Sequence, residues 1–319
     1  MRANAAAARE DGAQRHPLDR IATPLRSPGE IVRALNGWAS EDRYLCSPAY
    51  HMMTGRHGLW SARDGSALIA AHPNRSDEYL LFCKPGAETE ADRLLRQAGR
   101  TARPIRVARC SNQQAARFRS LGGNGLSYLR VREQTLDWRY PVHVLDARAV
   151  VGHRGPAFKD FRGNLNHARA QGFTVTPLRT LATTRPVRDL EARWAAQMGR
   201  IGYSRRDVVG PLARLLELLD ERSLALDGLV VGLRGRAVGL TIWEQRRGQQ
   251  TANSLIAIAD RDQRGVSELV YHAMCETLLA HGAHLVDIGG SETEGLDRFK
   301  RKMNPAISLP LCSLLVRDR

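Results

Sequence analysis

At 319 residues and 35.4 kDa the chain has room for about two domains, on a prior of roughly 150 residues each. Hydrophobic residues at 43% against 25% charged support a sizeable core and exclude wholesale disorder. The 48 Lys+Arg against 33 Asp+Glu give +15, and only Lys84, Lys159, Lys300 and Lys302 are lysines, leaving 48 − 4 = 44 arginines. No apolar run reaches the roughly 18 residues of a membrane span, and Met1 to Arg26 lacks the apolar stretch of a secretory signal. The five cysteines, Cys46, Cys83, Cys110, Cys275 and Cys312, form no C-x-x-C pair, which argues against a zinc site or disulfide scaffold. These features point to a reduced, cytoplasmic protein. Residues 1–30 hold five arginines and four acids, so about +14 of the charge belongs to the remainder, a surface suited to polyanions such as RNA or nucleotides, or to the usage of an arginine-rich proteome.

Residues 1–25, alanine-rich and without an apolar face, read as a disordered leader. A helix is expected from Ile31 to Leu35 behind Ser27-Pro28-Gly29. Three short strands follow at 58–61, 67–70 and 79–82, the first two joined across Asp64-Gly65. Then come a helix over 88–97, a strand at 105–107 and a helix over 113–121. The second half repeats the order: helices over 187–199 and 208–219, then a meander at 226–233, 237–244 and 253–259. A long helix over 267–281, a strand over 284–289, a short helix over 296–302 and a last strand over 307–316 complete it. An antiparallel meander handing over to a parallel pair through a crossover helix is the layout of the GNAT acyltransferase fold. The expected architecture is therefore α/β with mixed sheets, two fused GNAT-like units over 26–140 and 141–319.

Three segments carry the chemistry. Gly155 to Arg169 holds Lys159, Arg162, Asn166 and Arg169 at helical spacing, a stripe that suits RNA phosphates or an ordinary solvated helix face. Ile258 to Ser267 precedes the long helix. Acyl-coenzyme A enzymes of this fold show Q/R-x-x-G-x-G/A here, whose N–H groups hold pyrophosphate. This chain has Asp262, Gly265 and Ser267, and the acid weakens coenzyme A as donor, although Arg261 and Arg264 flank the loop. Asp287 to Pro305 opens on Gly289-Gly290, with Ser291, Glu292 and Asp297 beyond it. Glu292, Glu294 and Asp297 suit recognition of an amino group, and Glu292 and Asp287 are candidate proton acceptors. Lys300 suits an oxyanion or a phosphate, with Arg298 and Lys302 on the same basic helix. Trp243, Glu244 and Asn253 on the meander, with Tyr203, are candidate acceptor contacts. Trp194 could line the same acceptor cavity but reads first as buried core.

The G-x-x-x-K-x-x-R-x-x-x-N and G-L-x-x-F-K blocks resemble the catalytic region of phosphatidylglycerol lysyltransferases and the related Fem aminoacyltransferases, over roughly residues 140–310. The resemblance implies transfer of an aminoacyl group from charged tRNA to an acceptor, with no cofactor. His281 and His284 have a metal-like gap but straddle a helix end and a strand, so no metal is expected. The lysyltransferases' multi-helix membrane region is missing, so the implied acceptor is a soluble amine. The rival expectations are an acyl-coenzyme A-dependent N-acyltransferase and a non-catalytic RNA-binding protein on the same fold.

Overall fold

A computed structural model describes residues 16–98, 104–123, 125–132, 136–181, 184–200 and 205–318. Its strands are β1 (Ala22–Pro24), β2 (Leu59–Ala62), β3 (Ala67–Ala71), β4 (Tyr79–Cys83), β5 (Ile105–Cys110), β6 (Leu126–Val131), β7 (Val142–Asp146), β8 (Thr174–Pro177), β9 (Leu226–Leu233), β10 (Arg236–Glu244), β11 (Thr251–Ala259), β12 (Leu285–Asp287), β13 (Ile307–Leu309) and β14 (Cys312–Asp318). Its α-helices are α1 (Pro28–Ala34), α2 (Pro48–Thr54), α3 (Glu88–Ala98), α4 (Asn112–Leu121), α5 (Ala147–Gly152), α6 (Lys159–Ala170), α7 (Arg185–Gly199), α8 (Arg205–Leu218), α9 (Val266–Ala280) and α10 (Glu294–Arg301).

They build two seven-stranded mixed sheets, ordered β1-β2-β3-β4-β5-β14-β6 and β13-β7-β12-β11-β10-β9-β8. Each contains an antiparallel meander, β2-β3-β4 or β9-β10-β11, whose last strand pairs in parallel with the next through a crossover helix, α3 or α9. Local signals set the ends of these elements. Ser27 caps α1 in a reciprocal box with Glu30, and Pro28 occupies the first turn. The β9–β10 hairpin turns on Arg234 and Gly235, both at positive φ, which matches the twist of the flanking strands.

Three expectations need correction. His16 to Leu25, assigned to the leader, holds a 3₁₀ turn at Pro17–Arg20 and strand β1, with Leu18 and Ala22 fully buried; residues 1–15 lie outside the described part. The expected last strand over 307–316 is two strands in different sheets. Pro310 cannot continue the ladder, so β13 ends on the edge of the second sheet and β14 crosses to lie between β5 and β6 of the first. The C-terminal residues assigned to the second unit thus complete the sheet of the first. Thirdly, α2, β6, β7, α5 and β8 were not anticipated. Helix α2 is buried on nearly every side and shows no apolar period, while β6 exposes Leu129, Arg130 and half of Val131.

One continuous core joins the two sheets. Ile31, Leu35, Tyr44 and Tyr50 from the first half share it with Leu190, Leu212, Leu240 and Ile242 from the second. A second core lies under α5, α6 and α9, and a third under α3 and α4.

Candidate active site

Strand β12 pairs with β11 only from Thr251 to Asn253, yet β11 continues to Ala259. Past that point the two parallel strands part, and the chain leaves β12 through Ile288, Gly289 and Gly290. A cavity of about 570 Å³ opens in the wedge. Its walls come from both halves: Ser254–Ala259 of β11, Tyr271 of α9, Phe299 and Lys300 of α10, and opposite them Tyr44, Tyr50, Asp137 and Trp138. The Tyr44 hydroxyl donates to the Ser254 carbonyl, pinning the first half against the parted strand.

Gly289 and Gly290 are required by this packing. Gly289 has φ +64, and a Cβ there would stand 3.2 Å from the Tyr44 hydroxyl. A Cβ on Gly290 would fall 2.2 Å from the Asp137 carbonyl and 2.5 Å from that of Tyr140. The Gly-Gly pair thus admits the inter-unit linker as well as opening the backbone to the cavity.

Lys300 closes the loop from below. Its side chain is buried, and Nζ donates to the carbonyls of Ile288 (2.5 Å), Gly289 (3.2 Å) and Gly290. Those three bonds use all three ammonium protons. The expected oxyanion contact therefore competes with an existing clamp, and the geometry makes Lys300 a positioning residue. Burial lowers its pKa from the usual lysine value, opposed by the negative charges of Glu292 and Asp137.

Behind the cavity lies a cation that sequence reasoning missed. Arg109, the last but one residue of β5, sits at φ +54 with no exposed surface. It holds Asp42 with two bonds of 2.6 Å and Asp137 with one of 2.8 Å, and it donates to the Tyr50 hydroxyl at 3.2 Å. Its guanidinium lies 4.9 Å from the Tyr44 ring centre, 5.0 Å from that of Tyr50 and 5.4 Å from that of Trp138. Arg109 therefore orients most of the first half's contribution to the cavity. No local pattern in R-V-A-R-C marks it, because all its partners are distant in sequence.

Of the expected chemistry-bearing residues, Lys300, Glu292 and Arg261 border the cavity. Burial, and then the charge of Asp137, raise the pKa of Glu292. Asp287 is fully buried behind Gly289, whose N–H it accepts at 2.9 Å; its other oxygen has no partner among the described residues, and neither has the buried Ser291 hydroxyl. Asp297 is committed to His143 (2.8 Å) and Arg301 (2.9 Å). None of Asp287, Ser291 and Asp297 lines the cavity.

The acceptor contacts expected on the meander are also displaced. Trp243 is packed in the core under α9. Glu244 is buried and accepts from Ser47 Oγ at 2.5 Å and from the Ala49 N–H at 3.5 Å, at the start of α2. It is a strut between the halves. Asn253, its cross-strand neighbour, is buried outside the cavity lining, and Tyr203 lies outside the described residues. Trp194 packs against the shared core, as expected, and also borders the cavity.

The stripe on α6 forms as expected but away from the cavity. Lys159, Asn166 and Arg169 are exposed; Arg162 donates to the His153 and Gly155 carbonyls, and Arg169 meets His272 at 3.1 Å. Arg264 bonds Asn164 at 3.1 Å, Arg298 bonds Glu294 at 3.0 Å, and Lys302 caps α10 half-buried.

Burial pushes the carboxyls of Asp287 and Glu244 up to about 7. A carboxyl whose folded pKa exceeds its unfolded one contributes stability below the unfolded value, and that contribution is lost as pH rises to the folded value. Buried His51 and His72, pushed down to about 4, act in the opposite sense between about 4 and 6.5. The informative quantity is therefore a difference. Asp287→Asn keeps an acceptor for Gly289 and removes the ionisation. Its urea midpoint should rise relative to the unaltered protein between pH 5 and pH 8; a constant difference would show that Asp287 titrates normally.

Two mixed sheets in one chain, each an antiparallel meander passing through a crossover helix into a parallel pair, the second pair parted at the cavity, define a tandem GNAT-fold protein. More narrowly, the chain belongs to the phosphatidylglycerol lysyltransferase C-terminal family, whose pattern it matches over residues 47–315. Among solved structures, L-PGS from Bacillus licheniformis is similar with a TM-score of 0.61 at 12% identity, over 92% of this chain and 93% of that one. FemX gives 0.58 at 12% identity, over 91% and 96%. A tandem GNAT protein from the clavulanic acid biosynthesis pathway gives 0.50 at 14% identity, over 92% and 96%. At these identities the likeness is one of fold. No curated protein matches the sequence. No helix among the described residues is long and apolar enough to cross a membrane.

Proposed function

We propose that the protein transfers an aminoacyl group from charged tRNA to the amine of a soluble acceptor. The amine nitrogen attacks the ester carbonyl carbon. The bond to the ribose oxygen breaks as the amide forms, and the proton the amine loses is balanced by the one the departing ribose hydroxyl gains. An ester is already activated, so holding the two reactants in register in the cavity supplies much of the rate.

Besides the family, one observation carries the choice of donor. The loop at the start of α9, where acyl-coenzyme A enzymes bind pyrophosphate through backbone N–H groups, has spent four of them internally. Arg261 N–H donates to Gln197 Oε1 (3.2 Å), Asp262 N–H to Asp260 Oδ1 (3.1 Å), Gln263 N–H to the Asp260 carbonyl (3.1 Å) and Val266 N–H to that of Gln263 (3.4 Å). Gln197 in turn donates to Asp260 and Asp262, fastening the loop to α7. A loop so closed, carrying an acid, is a poor pyrophosphate cradle. Exposed Arg261 and half-buried Arg56, on the cavity border, suit the phosphates of a single-stranded 3′ end.

The test is transfer of a radiolabelled amino acid from total charged tRNA to a panel of soluble amines. We expect amide product that disappears after RNase treatment and is not supported by acetyl-coenzyme A. Product that survives RNase, or that forms from acetyl-coenzyme A alone, would overturn the reading. Retention of tRNA without any product would instead favour a binding protein.

A further inference from the structure

The loop leaving β12 presents two polar groups to the cavity, two residues apart. Gly290 lines the cavity, and its N–H has no hydrogen-bond partner among the described residues. Peptide planarity fixes its direction: the Gly289 carbonyl is drawn to Lys300 Nζ, so the N–H across that trans peptide bond faces away from the ammonium. Glu292 lines the same cavity and makes no ion pair with a side chain of the described residues. Its neighbour Asp137 is already held by Arg109.

Of the two carboxylates that line the cavity, Asp137 is paired with Arg109, and Glu292 is the one without an ion pair among the described residues. Of the bordering cations, Lys300 is held by three carbonyls and Arg56 donates to the Met53 and Pro73 carbonyls. Tyr44, Trp138, Tyr271 and Phe299 wall the remaining space, which suits an aliphatic frame and strengthens any charge pairing inside.

We propose that the Gly290–Glu292 loop is the subsite for an α-aminoacyl group, the Gly290 N–H donating to the acyl carbonyl oxygen and the Glu292 carboxylate accepting from the α-ammonium. An α-amino acid ester carries both groups one carbon apart, whereas a plain acyl group carries only the carbonyl and leaves Glu292 unpaired. Selection of aminoacyl over acyl donors then follows from a half-buried carboxylate without an ion pair rather than from a steric filter. Lys300 acts through the loop as a positioning residue, turning the Gly290 N–H away from itself. This inference rests on the aminoacyl-transfer reading, but its test requires no tRNA.

The probes are alanine methyl ester, N-acetylalanine methyl ester and methyl propionate, added to the full-length protein and followed by ligand-observed NMR and by the Gly290 amide shift of ¹⁵N-labelled protein. We expect alanine methyl ester to bind at least about tenfold more tightly than either ester lacking the ammonium, and to move the Gly290 amide. In Glu292→Gln that preference should fall to within about twofold, with the unfolding midpoint checked alongside; Glu292→Asp should restore part of it. Equal binding of the three esters, an unmoved Gly290 amide, or full preference retained in Glu292→Gln would overturn the subsite. A blank transfer assay beside intact ester selection would reject the tRNA reading and leave the subsite standing. Transfer without ester selection would do the reverse.

Discussion

Lys300→Met is expected to lose both stability and transfer, and the two losses should come together. The substitution keeps an unbranched stem as far as Cε and removes the ammonium that holds the Ile288, Gly289 and Gly290 carbonyls. Each buried carbonyl left without a donor costs about 1–3 kcal/mol. Relief from burying a charge offsets part of that, so a net loss of about 2–5 kcal/mol is expected. The loop then no longer has a reason to keep its carbonyls turned one way, and transfer should fall by at least about a hundredfold. A lysine that acted only on an oxyanion would behave differently: transfer would fall while the urea midpoint stayed in place. Unfolding curves and transfer rates measured on one preparation separate the two. Lys300→Arg should not rescue, because a planar guanidinium cannot point three protons at three converging carbonyls.

The contrast between Lys300 and Glu244 shows what a sequence can and cannot tell about such a site. Lys300 stands out in a chain with four lysines, and its helix follows a Gly-Gly strand end, so its place by the cavity was legible. Its task was not, since that depends on where three carbonyls turn. Glu244 looked like a cavity group because it ends a strand beside Trp243. Its partner Ser47 lies 197 residues away, and no local signal connects them. The meander β9–β11 was legible almost to the residue, because alternating apolar runs are cut by Arg-Gly turns. The crossing of β14 into the first sheet was not. Pro310 announces a break, but the choice of the new sheet belongs to the groove between β5 and β6. Part of the cavity wall, namely Tyr44, Tyr50, Asp137 and Trp138, was missed for the same reason. Those residues carry no shared spacing and converge only when the two halves dock.

That docking gives Arg109→Met the largest expected cost outside the cavity itself. Methionine fills much of the same volume, so the loss is electrostatic: the Asp42 and Asp137 carboxylates, held at 2.6 and 2.8 Å, are left without their cation. Breaking a buried ion pair by removing one partner costs about 3–5 kcal/mol. For a chain of this length the unfolding temperature should fall on the order of 5–15 °C. Arg109→Lys should recover little, because one ammonium cannot hold Asp42 with two parallel bonds and Asp137 with a third. The decisive comparison is the double substitution Arg109→Met with Asp42→Asn. Where uncompensated negative charge causes the loss, neutralising Asp42, which is only 4% exposed, should return a substantial part of the stability. Where the φ +54 backbone or the aromatic packing of the guanidinium dominates, the double variant should be no more stable than the single one. Because Asp137, which lines the cavity beside Glu292, would lose its cation in either variant, both should favour alanine methyl ester over the neutral esters more strongly when folded. Arg109 does not itself line the cavity but bonds Asp137 and Tyr50, which do, so that effect would place the fold's buried cation and the reading of the aminoacyl group in one network.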